Sequence, residues 1–88
     1  CDILVTTPGR LIDILDRTKL VLTFIRFLVL DEVARMLDMG FGEQIRDIIE
    51  ERGIPVPGKC QTLIFSHTLT KSVRTLAESV LENYICIV

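Results

Sequence analysis

Phe27-Leu28-Val29-Leu30-Asp31-Glu32-Val33-Ala34-Arg35-Met36-Leu37-Asp38-Met39-Gly40-Phe41 opens on an uninterrupted apolar run, places two carboxylates at its end, and continues into a helix-like stretch. An apolar run without polar alternation suits a strand covered on both faces, as in a parallel sheet. In an open parallel sheet, ligands bind outside the carboxyl ends of the strands, where Asp31 and Glu32 fall. A strand-terminal Asp there can hold hydrated Mg²⁺ while its neighbour orients a water, the arrangement a nucleotide-hydrolysing site needs. The ordinary alternative is that Asp31 caps the following helix and Glu32 complements its dipole. Taken alone, the pair favours capping; the surrounding residues decide.

Working outward, β-rich segments recur at Ile3 to Thr6, Phe27 to Leu30, Thr62 to Phe65 and Tyr84 to Val88. Helical patterns separate them. Thr7 is placed to cap a helix whose first position is Pro8, with Leu11, Ile12 and Leu15 on one face to about Asp16. Glu43 to Arg52 puts Ile45, Ile48 and Ile49 on one face, and Gly53, Pro55, Pro57 and Gly58 end it in a loop. In the last helix Val73, Leu76, Ala77, Val80 and Leu81 follow the i, i+3, i+4, i+7, i+8 spacing, with Thr70 as its cap. Strand alternating with helix predicts an α/β layered fold with right-handed crossovers.

The 88 residues allow one small domain, and a chain of this size buries only about 60 to 65% of its extended surface. Hydrophobic residues at 49% and charged residues at 25% describe a globular chain rather than a disordered one. A net charge of −2 supplies no global attraction to nucleic acid, so any such contact must be local. Cys1, Cys60 and Cys86 are odd in number, widely spaced and without a partnering His cluster, which predicts reduced thiols in an intracellular protein. No apolar run approaches the roughly 18 residues of a membrane span, and no signal-type segment opens the chain. The chain starts directly before one apolar strand and stops within another, as a fragment would.

One apparent motif misleads. Gly53-Ile54-Pro55-Val56-Pro57-Gly58-Lys59-Cys60 has the Gly-x4-Gly-Lys spacing of a phosphate-binding loop. It follows a helix and precedes a strand, the reverse of the required order, and Cys60 replaces the Mg²⁺-binding hydroxyl. Two prolines also remove N–H groups that would cradle phosphate.

Three elements stand in series: Thr7-Pro8-Gly9-Arg10, then Asp31-Glu32-Val33-Ala34 with Arg35-Met36-Leu37-Asp38-Met39-Gly40-Phe41, then Phe65-Ser66-His67-Thr68. In this order and spacing they resemble the DEAD-box RNA helicases, over essentially the whole chain. The resemblance implies the C-terminal half (residues 1–88) of the first RecA-like domain, a partial P-loop NTPase fold with a parallel sheet flanked by helices, and no complete domain. It implies ATP and Mg²⁺ as cofactors of the parent protein and RNA as its partner. Asp31 would bind Mg²⁺ through water as the cofactor and metal residue, and Glu32 would position or activate the attacking water, the two forming the catalytic pair. Thr7, Pro8, Gly9 and Arg10 match the motif that touches RNA backbone. A helix N-terminus offers free N–H groups and Arg10 can pair with phosphate, although a simple cap with a solvated arginine has the same sequence. Ser66 and Thr68 match the motif that couples nucleotide state to strand separation.

Two departures accompany the match. The family's second motif reads Asp-Glu-Ala-Asp, whereas Ala34 stands at the fourth position here; the third usually reads Ser-Ala-Thr, whereas His67 stands in its middle. In the family that last Asp bonds to the Ser and Thr hydroxyls, and Ala34 cannot accept those bonds. Removing one partner of a buried polar pair costs about 1 to 3 kcal/mol unless water replaces it. His67, a lone histidine, is expected to be packed or solvated rather than catalytic or metal-binding. The Gly-rich loop that holds ATP and the second RecA-like domain that completes the site both fall outside this sequence, so the isolated chain is expected neither to hydrolyse ATP nor to unwind RNA. The parent is expected to be an intracellular helicase, cytoplasmic or nuclear. The opposing expectation is a non-catalytic RNA-binding or decayed helicase-derived chain with lost coupling.

Overall fold

The computed structural model describes residues 2–56 and 58–87. In chain order it contains α1 (Pro8–Arg17), β1 (Phe27–Leu30), α2 (Val33–Asp38), α3 (Gly42–Glu51), β2 (Gln61–Ile64) and α4 (Lys71–Val80). β1 and β2 are parallel, in a register running from Phe27 opposite Gln61 to Leu30 opposite Ile64. Parallel neighbours require a crossover, and α2 and α3 occupy it. The result is the expected α/β architecture, a parallel sheet flanked by helices.

Sequence determines these helices through their ends. Pro8 sits in the first turn of α1, where its missing N–H costs nothing. The Thr70 side chain accepts the Val73 N–H at 3.2 Å and caps α4 as its spacing predicts. Thr7 occupies the cap position of α1, but its side chain makes no capping bond. α2 stops in a Schellman arrangement: the Gly40 N–H reaches the Leu37 carbonyl at 3.1 Å and the Phe41 N–H the Met36 carbonyl at 3.0 Å. That closure needs a left-handed residue, and Gly40 supplies it at φ 88.

Two apolar clusters form the core. Val33, Ile45, Val73, Leu76 and Val80 make one, with Leu30 and Ile64 of the strands packed against it. Leu11, Leu22 and Ile48 make the other and seat α1 against α3. α3 therefore belongs to both, Ile45 facing one cluster and Ile48 the other. On the outside, Arg52 ties α1 to α3 through Asp16 at 2.6 Å and Asp47 at 3.0 Å. These bonds, Asp16's first, hold its guanidinium charged.

The strand expectations need correction. β2 begins one residue before the expected Thr62 and ends at Ile64. Ile3 to Thr6 and Tyr84 to Ile87 are not strands; Val88, the end of that second segment, lies outside the described residues, as do Cys1 and Pro57. Both segments have β-prone composition but pair with no strand among the described residues, and a strand exists only through its ladder. Ile3, Val5, Ile85 and Ile87 are accordingly exposed. Nor is β1 covered on both faces: Leu28 and Leu30 are half-buried, while Phe27 and Val29 are exposed. The loop from Gly53 to Cys60 follows α3 and precedes β2, as its rejection as a phosphate loop requires. Cys60 is buried and Cys86 exposed, and both are free thiols.

Candidate functional site

The parallel pairing brings the ends of β1 and β2 side by side, and the residues after each strand meet there. At the β2 end, the Phe65 N–H donates to the Leu30 carbonyl at 2.8 Å, extending the ladder one step past the strand. The chain then turns at Asp31 and Glu32 into α2. Glu32 takes the cap position of that helix in a left-handed conformation, φ 53 and ψ 49, and its side chain makes no capping bond. A side-chain-bearing residue held there costs on the order of 1–2 kcal/mol, and such residues concentrate at functional sites.

Neither carboxylate therefore caps α2. The capping acceptors come from the segment that follows β2: the Val33 N–H donates to the Phe65 carbonyl at 3.0 Å and the Ala34 N–H to the Ser66 hydroxyl oxygen at 3.3 Å. Two of the orphan donors of a helix start are met by a segment more than thirty residues away in sequence. The Ser66 hydroxyl in turn donates to the Thr68 carbonyl at 2.7 Å. Asp31 and Glu32 remain exposed and enter no ion pair among the described residues.

Beside this junction lies an open groove of about 420 Å³ lined by Glu32, Ala34, Arg35, Asp38, Ser66, His67 and Thr68. It unites Glu32 with the two hydroxyl residues of the downstream motif. Asp31 is not in its wall, so the acidic pair splits, Glu32 toward the groove and Asp31 outside it. His67 is exposed in the groove wall, so of the packed and solvated alternatives the structure shows the solvated one. The groove's fixed charges are two carboxylates, Glu32 and Asp38, against the Arg35 guanidinium.

Sequence reasoning did not single out Arg35 and Asp38. Asp38 lies one helical turn beyond Ala34, so the phase of α2 was the signal that would have found it.

Thr7, Pro8, Gly9 and Arg10 are not part of this groove. They form the start of α1, which α3 supports through Leu11 and Ile48. The Thr7 carbonyl accepts the Leu11 N–H at 2.9 Å. A Cβ placed on Gly9 would meet nothing within 4 Å, so the backbone there is open to close approach. Arg10 is exposed and enters no ion pair among the described residues.

Hard oxygen donors at Asp31 and Glu32 fit a hydrated Mg²⁺ that keeps most of its ligands as water and phosphate. No cluster of three or more metal-ligating side chains occurs among the described residues, as that mode of binding allows. Burial pushes the Cys60 thiol up, which keeps it neutral and unsuited to hold such an ion.

Comparison with known proteins gives two findings. A family model described as DEAD/DEAH box helicase matches residues 1–76. The crystal structure of the yeast DEAD-box splicing factor Prp28 superposes with a TM-score of 0.84 at 39% identity, over 93% of this chain and 18% of that one. The chain thus spans less than a fifth of that relative's length.

Proposed function

The chain belongs to the DEAD/DEAH box helicase family, and from that premise we propose that it forms the C-terminal half of the ATP-binding RecA-like domain of an intracellular ATP-dependent RNA helicase. The parent couples ATP binding and hydrolysis to RNA binding and local duplex opening. The observation that carries this reading is the junction of the two strand ends. There Glu32, in a left-handed conformation, shares one groove with Ser66 and Thr68.

Within that reading each residue has a task. Asp31, exposed at the end of β1, would hold Mg²⁺ through water. Glu32 orients and accepts a proton from the attacking water. When bound with ATP, Mg²⁺ would supply charge neutralisation for the phosphoryl transfer. Thr7 to Arg10 meet RNA backbone through free N–H groups of the first turn and the Arg10 guanidinium, contacts that position RNA without reading its bases. Ser66 and Thr68 relay the state of the Glu32 side of the groove to α4 and beyond. The remaining ATP contacts come from a Gly-rich loop and a second RecA-like domain of the parent, so the isolated chain is inactive.

Two assays test this. The purified chain should release no phosphate above background with ATP, Mg²⁺ and RNA, and RNA-stimulated release would overturn the assignment of an incomplete site. In the longer parent protein, Glu32→Gln should lower kcat by roughly 10² to 10⁴; an unchanged kcat removes Glu32 from the chemistry.

Ala34 and His67 favour a second reading, a helicase-derived RNA-binding chain that has lost coupling. Unwinding by the parent that rises on Ala34→Asp supports it.

A further inference from the structure

Resting on the assignment of Glu32 as the residue that positions water, we propose that Ser66 is the positioning residue for Glu32. It acts through the main chain of α2 and not through any side chain at position 34.

Three hydrogen bonds bracket the turn at Asp31 and Glu32. Before it, the Leu30 carbonyl accepts the Phe65 N–H at 2.8 Å; after it, the Val33 N–H reaches the Phe65 carbonyl at 3.0 Å and the Ala34 N–H the Ser66 hydroxyl at 3.3 Å. Locally only the Glu32 carbonyl is held, by the Met36 N–H at 3.1 Å; the residue is not glycine, and its side chain makes no capping bond. The bracket supplies the rest of the constraint, because a left-handed residue with a Cβ relaxes when its neighbours let it. Of the three bonds, only that of Ser66 uses a side chain. It is the one that sequence specifies and a substitution can remove.

The direction of that bond matters. A hydroxyl has one proton, and Ser66 gives it to the Thr68 carbonyl at 2.7 Å. Toward α2 the same oxygen is an acceptor, and the Ala34 N–H is the donor it receives. A carboxylate at position 34 would need the opposite polarity, a hydroxyl donating toward it. The link between the two strand ends thus runs through an amide, which alanine carries as well as any residue but proline. Ala34 preserves this link, and the second motif's missing carboxylate does not break it.

The test is amide hydrogen exchange on the 88-residue chain, comparing wild type, Ser66→Ala and Ser66→Thr. Ser66→Ala should speed exchange at Ala34 by roughly three- to tenfold. It should also move the Glu32 amide-to-Hα coupling and Cα shift away from left-handed values, and Ser66→Thr should restore both. The amides of Ile45 and Leu76 are internal references: a general loss of stability accelerates them equally, and acceleration common to all three sites overturns the proposal. So does an Ala34 amide that does not respond, or one that responds while Glu32 stays put. No nucleotide enters this measurement. If the bracket holds but Glu32→Gln leaves hydrolysis by the parent unchanged, the helicase assignment of Glu32 fails and the backbone constraint stands. An unresponsive Ala34 amide removes the constraint whatever hydrolysis does.

Discussion

Val33 donates its N–H to the Phe65 carbonyl at 3.0 Å while its side chain is 0% exposed in the main apolar cluster. One residue thus closes the junction of the strand ends and fills the core beneath it. Site geometry and fold stability are coupled at that point, because displacing the side chain displaces the amide that caps the site.

Ile45 lies in the cluster under β1 and Ile48 in the cluster under α1. Ile45→Ala should cost about 2–5 kcal/mol, and Ile48→Ala should destabilise within the same range. Because α3 carries both residues, urea denaturation should show a single transition for each variant. Two separated transitions for Ile48→Ala would mean that α1 is an independent unit.

Two glycines at helix ends, Gly9 and Gly40, should respond oppositely to a methyl group. Gly40 has φ 88, so Gly40→Ala should cost about 1–2 kcal/mol even though nothing crowds the new Cβ. Gly9 sits in the first turn of α1 with open space around it. Gly9→Ala should stabilise by about 0.4–1 kcal/mol. If the start of α1 meets RNA backbone closely, the same variant binds single-stranded RNA less tightly. Thermal melts and fluorescence anisotropy measure the two effects separately.

Burial raises the Cys60 thiol above its ordinary value of 9.0. Below that pH both folded and unfolded chains keep the proton, and the buried thiol's contribution is intact. Above it the unfolded chain ionises first, so stability falls as pH rises toward the folded value. Cys60→Ala should flatten this alkaline loss. At neutral pH a thiol reagent should modify exposed Cys86 well before Cys60, and equal rates would show that the β2 entrance opens readily.

Ala34→Asp tests which contact links the two motifs. With the Ser66 proton held by Thr68, the new carboxylate finds no ready donor, and unwinding by the parent protein should change less than twofold. A large gain would show instead that Ser66 reorients and that coupling was missing.

Much of this was legible in sequence because helices are local objects. Pro8, Thr70 and the spacing from Val73 to Leu81 locate α1 and α4 to within a residue or two. Ile3 to Thr6 and Tyr84 to Val88 misled because apolar β-branched composition reports a readiness to pair, whereas pairing depends on a second segment. The site divided in the same way. The family resemblance names Asp31, Glu32, Ser66 and Thr68, and the structure sets Glu32, Ser66 and Thr68 around one groove while Asp31 stays out of its wall. The Ser66 contact to the Ala34 amide was not legible, because family resemblance directs attention to the side chain at position 34 and the bond bypasses it. Asp38 and Arg35 entered only once the phase of α2 and the approach of β2 were known.

The exposed flank of the sheet has a further consequence for handling the chain. Phe27 and Val29 present apolar surface, and among the described residues β1 and β2 each have a neighbour on one side only. With Ile3, Val5, Ile85 and Ile87 also exposed, the molecule presents sticky, strand-ready material at its border. Its small net charge of −2 offers little mutual repulsion. Concentration will therefore govern its behaviour in the tube: dilute samples report on the fold, and concentrated ones on intermolecular strand addition.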